Sequence, residues 1–336
     1  MSSNAKVVSA GRARGARGVL GLIGHTPLLP LTHFERDFPG VRLFAKAEWF
    51  NPGGSVKDRA AASIIADAEA AGRLRDGVTL LDATSGNTGV AYAMIGAVKG
   101  YRVTLCAPKN ANPQVLGLLR AYGAGVVLTD PLQGSDGAIR EARRLAAEHP
   151  TRFLYLDQYN NPANWQAHYR TTAGEIWEQT RGAVTHFVAG LGTTGTFTGT
   201  SRRLKELNPG IQVVAVQPDA PFHGLEGLKH LESAIVPGIY DPALPDDTRF
   251  VSTEDADEAS QRLARREGFL VGPSSGAALA ASLQLADELA SPSRDTPATI
   301  VLVFPDSGAR YVTEGLFAAR DGQASPASVR STVPTD

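Results

Sequence analysis

Short apolar runs recur along this chain, and most are followed by a stretch patterned as a helix. VRLFAKAE (41–48), VTLLDA (78–83), YRVTLCA (101–107) and GVVLT (125–129) read as strands, as do THFVAG (185–190), IQVVAVQ (211–217) and TIVLVF (299–304). Several are almost unbroken in apolar character, as a strand covered by helices on both faces requires. Between them KDRAAASIIADAEAAG, GVAYAMIGAVKG and GSDGAIREARRLAAE keep apolar residues at helical spacing and stop near glycine or proline. Alternating strand and helix predict an α/β fold with mostly parallel sheets. Ligands in such folds bind beyond the carboxyl ends of strands, so the strand-to-helix turns are where chemistry is to be sought.

Bulk properties remove several classes of function. A formal net charge of -1 provides no field toward nucleic acid or an anionic membrane. No apolar run approaches the roughly 18 residues that span a bilayer. The basic, acid-free start MSSNAKVVSAGRARGARG has no apolar run behind it, so it reads as a solvated tail rather than a secretory signal. Cys106 is the single cysteine, which fits a reducing cytoplasm, and its place inside YRVTLCAP points to a buried, inert thiol.

Four turns carry polar residues in suggestive patterns. In Asn51-Pro52-Gly53-Gly54-Ser55-Val56-Lys57-Asp58-Arg59, Ser55 caps a helix and leaves Lys57 in its first turn. A cation there opposes the helix dipole and has a lowered pKa, which suits a nucleophilic amine as well as a merely solvated one. Thr84-Ser85-Gly86-Asn87-Thr88-Gly89 offers hydroxyls and free backbone N–H groups to a carboxylate, or simply caps its helix. AGLGTTGTFTG (189–199) contains G-x-G-x-x-G, the pattern of a dinucleotide site. An NAD-dependent oxidoreductase would, however, want an acid ending the next strand, where VVAVQPD places Gln217. Thr193, Thr194 and Thr196 form a hydroxyl-rich cup better matched to one phosphate. Gly272-Pro273-Ser274-Ser275-Gly276 imitates a hydrolase elbow, but all seven histidines precede Ser274, so a Ser, acid, His order is impossible. No nucleoside-triphosphate loop and no Cys/His metal spacing occurs; His186 reads as a packed strand residue and His168 as a helix-surface one.

A cofactor with an aldehyde, a phosphate and a ring nitrogen would use all four turns, and pyridoxal phosphate has these parts. The chain resembles the cysteine synthase and cystathionine β-synthase family, fold-type II pyridoxal-phosphate enzymes, and within it the O-phosphoserine-dependent cysteine synthases. The resemblance rests on GHTPLLPL (24–31), NPGGSVKDRAA (51–61), TSGNTG (84–89), QYNNPAN (158–164), GLGTTGTFTG (190–199), VGPSSGAA (271–278) and PDSGARY (305–311), in family order. It implies that Lys57 is the Schiff-base lysine and the base for the substrate α-proton. By the same carry-over Asn87 binds the cofactor's 3′-oxygen, and Gly192, Thr193, Thr194, Gly195 and Thr196 bind its phosphate. The resemblance likewise implies that Ser274 faces the pyridine nitrogen. It also implies that Thr84, Ser85 and Thr88, helped by Gln158, take the substrate carboxylate.

The implied reaction is β-replacement on an O-activated L-serine, through α-aminoacrylate, by a sulfur nucleophile to give L-cysteine. Lys229, in the active-site lip HGLEGLKHLESAIVPGIYD (223–241), matches a basic residue that contacts the substrate phosphate in O-phosphoserine-dependent relatives. PKNANPQ (108–114) replaces the family's usual Thr-Met-Ser. O-phosphoserine is therefore favoured over O-acetylserine. Cystathionine β-synthase and 2,3-diaminopropionate synthase activities are same-fold alternatives. The sulfur donor, a small molecule or a thiocarboxylated carrier protein, stays open. A cytoplasmic homodimer is implied, with a smaller N-terminal domain at 53–159 that includes a mobile part from about Gly89 to Glu148. Residues 1–52 and 160–325 would make the larger domain, and 326–336 a disordered tail.

Overall fold

The apolar runs assemble into two separate sheets. The computed structural model describes residues 18–312 other than 85 and 294–295, together with 316 and 317; the tail expected to be disordered lies outside these. In chain order the strands are β1 (Leu28–Pro30), β2 (Val41–Ala47), β3 (Thr79–Ala83), β4 (Arg102–Pro108) and β5 (Gly125–Thr129). They continue with β6 (Phe153–Tyr155), β7 (His186–Gly190), β8 (Gln212–Pro218), β9 (Asp247–Val251) and β10 (Ala298–Phe304). The helices are α1 (Thr32–Glu35), α2 (Lys57–Ala70), α3 (Asn87–Lys99), α4 (Pro113–Ala121) and α5 (Gly134–Glu148). Then come α6 (Pro162–Arg170), α7 (Thr172–Gln179), α8 (Gly195–Leu207), α9 (Thr253–Glu267) and α10 (Pro273–Leu289).

One sheet runs β1-β2-β10-β7-β8-β9 and the other β5-β4-β3-β6. Among the described residues β1 and β2 pair antiparallel and every other ladder is parallel. β10, ATIVLVF, is buried at every position and lies between β2 and β7, which is where a continuous apolar run belongs. Three strands escape the periodicity. β1 and β6 have three residues each, and β9, DTRFV, is an edge strand only partly buried along most of its length.

Helix starts follow local chemistry. Asn112 caps α4 by accepting from the N–H groups of Gln114 (2.8 Å) and Val115 (3.3 Å), with Pro113 at the first helical position. Asn161 and Pro162 repeat the arrangement at α6. Leu80, Leu105, Tyr92, Ile64 and Val115 share one core around the smaller sheet, joining α2, α3 and α4 to it. Leu43, Val188, Ile300 and the small residues of α10 form a core of the larger sheet. The smaller sheet and helices α2–α5 thus span 57–155, and on this basis we propose 53–159 as a distinct unit. Among the described residues no helix is long and apolar enough to cross a membrane.

Candidate active site

The turns after β3, β7 and β10 open onto one cleft, with about 930 Å³ of empty space including its mouth, and Thr84, Gly192 and Pro305 stand in its wall. The loop after β2 brings Lys57 there. Gly54, at φ +82°, makes the left-handed turn that a side chain would strain, and a Cβ on Gly53 would stand 2.4 Å from Asp58 Oδ1. Val56 N–H then donates to Pro305 O at 2.8 Å, tying this loop to the end of β10. Lys57 is the first residue of α2, and its N–H donates to Ser55 Oγ at 3.2 Å. Burial holds the Lys57 amine below its ordinary pKa, with Asp306 and Glu48 pulling the other way without reversing the shift.

The loop after β3 is braced from several sides. Thr84 Oγ1 accepts from Gly86 N–H and Gly89 N–H, both at 3.1 Å. Thr88 Oγ1 donates to Gln158 Oε1 at 2.7 Å, and Gln158 Nε2 donates to Ala83 O at 2.6 Å. Gln158 therefore fixes the loop from which α3 springs. Asn87 Nδ2 donates to Asp306 Oδ2 at 2.7 Å, and Asn87 Oδ1 accepts from Arg310. Ser85 lies outside the described residues.

The loop after β7 forms a cup at the N-terminus of α8. A Cβ on Gly192 would stand 2.1 Å from Gly227 O, and one on Gly195 2.0 Å from Asn164 Oδ1. Thr193 Oγ1 accepts from Asn164 Nδ2 at 3.1 Å. Thr194 sits at φ +68° with a buried Oγ1 that has no hydrogen-bond partner. Thr196 is paired with His168 Nε2 at 3.3 Å. Gly192, Thr193, Thr194 and Thr196 reach the cleft wall; Gly195 lies behind them as the first residue of α8. Gln217, at the tip of β8, accepts from Leu231 N–H at 3.1 Å and so braces the lip.

Ser274, in the first turn of α10, lines the same cleft, as does Lys229. Lys229 is not a solvated lip lysine: its side chain is 7% exposed and its Nζ donates to Asp136 Oδ1 at 2.8 Å. His168 is likewise not on a helix surface. It is buried between Thr172 and Thr196, and desolvation, seconded by Arg59, takes its pKa to about 3. The helical pattern around it hides this because α6 buries one face against α8 and another near α2. Cys106 is buried as read from the sequence, its thiol pushed up to about 12 by desolvation.

Asp306 is a buried acid beside the cleft that motif reading did not single out. It is buried, accepts from Asn87 and Tyr311 on Oδ2, and leaves Oδ1 without a partner. Its place directly past an apolar strand, in PDSGARY, was the available signal. Behind Lys57 lies a buried ion network: Arg59 Nε donates to Glu48 Oε2 at 2.8 Å and its Nη1 to Glu175 Oε1 at 2.6 Å, while Lys46 Nζ reaches Glu175 Oε2 at 2.7 Å.

Comparison with known proteins agrees with this geometry. Residues 19–306 match the family model described as "Pyridoxal-phosphate dependent enzyme". The chain is 52% identical to the cysteine synthase of Aquifex aeolicus over 90% of its own length and 93% of that protein's. It is 43% identical to cysteine synthase B of Escherichia coli over 88% and 94%. Among solved structures, a cysteine synthase from Entamoeba histolytica superposes with a TM-score of 0.84 at 34% identity, covering 96% of both chains. An O-ureido-L-serine synthase superposes at 0.82 with 36% identity, covering 92% of this chain and 97% of that one.

Proposed function

The chain belongs to the pyridoxal-phosphate dependent enzymes, and from that premise we propose that it is a cysteine synthase, replacing the β-substituent of an O-activated L-serine with sulfur. The observation that carries the reading is convergence: Lys57, the 84–88 loop and the cup at α8 open onto one cleft. The NAD reading of GLGTTG falls with the family assignment.

The residues present fit the cofactor. Thr194 Oγ1 is a buried hydroxyl without a protein partner, and the absence of side chains at Gly192 and Gly195 brings backbone to the rim of a helix N-terminus. Such a cup takes a terminal phosphate. Lys57 would hold the aldehyde carbon, Asn87 the 3′-oxygen, and the neutral Ser274 hydroxyl the ring nitrogen. Bound there, pyridoxal phosphate supplies a sink for the electron pair left when a bond to the substrate α-carbon breaks.

The protein's own groups would do the rest. The lowered pKa of the Lys57 amine favours the neutral form that accepts a proton from the α-carbon and later returns it. Thr84, Ser85 and Thr88, with the first N–H groups of α3, would receive the substrate carboxylate, and Gln158 would keep that loop in register. We assign Lys229 to the leaving group and favour O-phosphoserine over O-acetylserine, because this basic residue lines the cleft. The buried Cys106 agrees with a cytoplasmic location, and a homodimer is proposed from family resemblance.

The test is direct. Purified protein given sulfide and either serine ester should form cysteine and show the cofactor's visible absorption band. Lys57→Ala should abolish both. A colourless wild-type protein, or cysteine formation that survives in Lys57→Ala, would refute the assignment.

A further inference from the structure

One carboxylate joins the active-site lip to the smaller sheet's side of the cleft. Asp136 stands in the first turn of α5. Its Oδ1 accepts from Lys229 Nζ at 2.8 Å and its Oδ2 accepts from Ile235 N–H at 2.8 Å, so a single side chain grips both ends of the segment 229–235. Lys229 Nζ also lies 3.4 Å from Ser135 Oγ and 5.2 Å from the centre of the Tyr159 ring. The Asp136 side chain is 22% exposed against 7% for Lys229, which puts the pair at the seam between cleft and solvent. Ser135, Tyr159 and Lys229 face the cleft, and Glu226 is the acidic residue in the same wall.

This arrangement has an electrostatic consequence. Lys229 and Asp136 together carry no net charge, so a leaving group that arrives at Lys229 meets an ion pair rather than a lone cation. An uncharged ester is little affected by the difference. A phosphate dianion drawn to the amine is repelled by the carboxylate 2.8 Å behind it. We propose that Asp136 is a specificity-determining residue: it sets how much of the Lys229 charge the leaving group feels, and so holds discrimination for O-phosphoserine below what Lys229 alone would give. This rests on the reading that Lys229 faces the leaving group.

The test measures kcat/KM for O-phosphoserine and for O-acetylserine, with sulfide as acceptor, in wild type, Asp136→Asn, Lys229→Ala and the double variant. Asparagine keeps an acceptor for Ile235 and removes the charge; Asp136→Ser repeats the neutralisation with a smaller side chain should asparagine disturb the lip. The O-phosphoserine to O-acetylserine ratio should rise about tenfold in Asp136→Asn. The gain should appear in KM rather than kcat, shrink with added salt and vanish in the double variant. If Lys229→Ala lowers O-phosphoserine turnover but neutral Asp136 leaves the ratio unchanged, the inference is wrong and the leaving-group assignment stands. If Lys229→Ala changes neither substrate, the assignment itself fails and takes the inference with it.

Discussion

A methyl group at residue 192 has nowhere to go. A Cβ on Gly192 would lie 2.1 Å from Gly227 O, whereas ordinary contact begins near 3.4 Å, so the two backbones must part by about 1.3 Å. The obstacle is main chain, not the end of a flexible side chain. It is held in place, since Gly227 occupies φ +90° and Lys229 N–H donates to Leu191 O at 2.8 Å. Forcing extra volume into such a contact costs about 1–3 kcal/mol. The cofactor-free loop can relax by opening, but a bound phosphate requires the closed cup, so the strain falls on the bound form. At about 1.4 kcal/mol per factor of ten, the pyridoxal phosphate dissociation constant of Gly192→Ala should rise about 5- to 150-fold. The assay is titration of cofactor-stripped protein, followed by the visible band. Gly117→Ala is the control: that glycine lies inside α4 with nothing within 4 Å of its Cβ position. There alanine should raise stability by about 0.5–1 kcal/mol and leave cofactor affinity alone. A Gly192→Ala dissociation constant within about twofold of wild type would falsify the account of the cup.

Two further outcomes follow from side chains that brace the walls of the cleft. Gln158→Ala removes the acceptor of Thr88 Oγ1 and the tie to Ala83 O; the KM for the amino-acid substrate should rise about 2- to 10-fold with the visible band retained, and an unchanged KM would show the brace to be idle. His168, neutral in the fold with a pKa of about 3 against an ordinary 6.5, should make the protein acid-sensitive. Above pH 6.5 neither folded nor unfolded chain protonates it; below, only the unfolded chain does, so stability falls with pH throughout the window from about 6.5 down to 3. Between pH 7 and pH 5 this amounts to about 2 kcal/mol, a loss that His168→Gln should escape, as paired denaturant titrations at the two pH values would reveal.

What could be read from the sequence was whatever is local. The strands that carry the site, β3, β7 and β10, are apolar runs whose composition alone demands burial on both faces, and the turns beyond them hold Thr84, Thr193 and Asp306 within a few residues of a strand end. The polar edge strand β9 and the three-residue β1 and β6 have no such pattern, because their pairing is decided by neighbours distant in the chain. The same division runs through the site. Lys57 announces itself by its place in a capped turn, but nothing near Lys229 in sequence reveals that its charge is matched by Asp136, 93 residues earlier. His168 shows the converse: a histidine on a short amphipathic helix looks solvated until α8 is packed over it, and then its ring becomes part of the wall behind Thr196. Motifs thus nominate the residues that would hold a cofactor, while the charged partners of residues such as Lys229 come from contacts between elements distant in the chain. If charge at the lip sets substrate preference as proposed, that preference is the property hardest to read from this sequence, because the pairing of Lys229 with Asp136 is invisible in it.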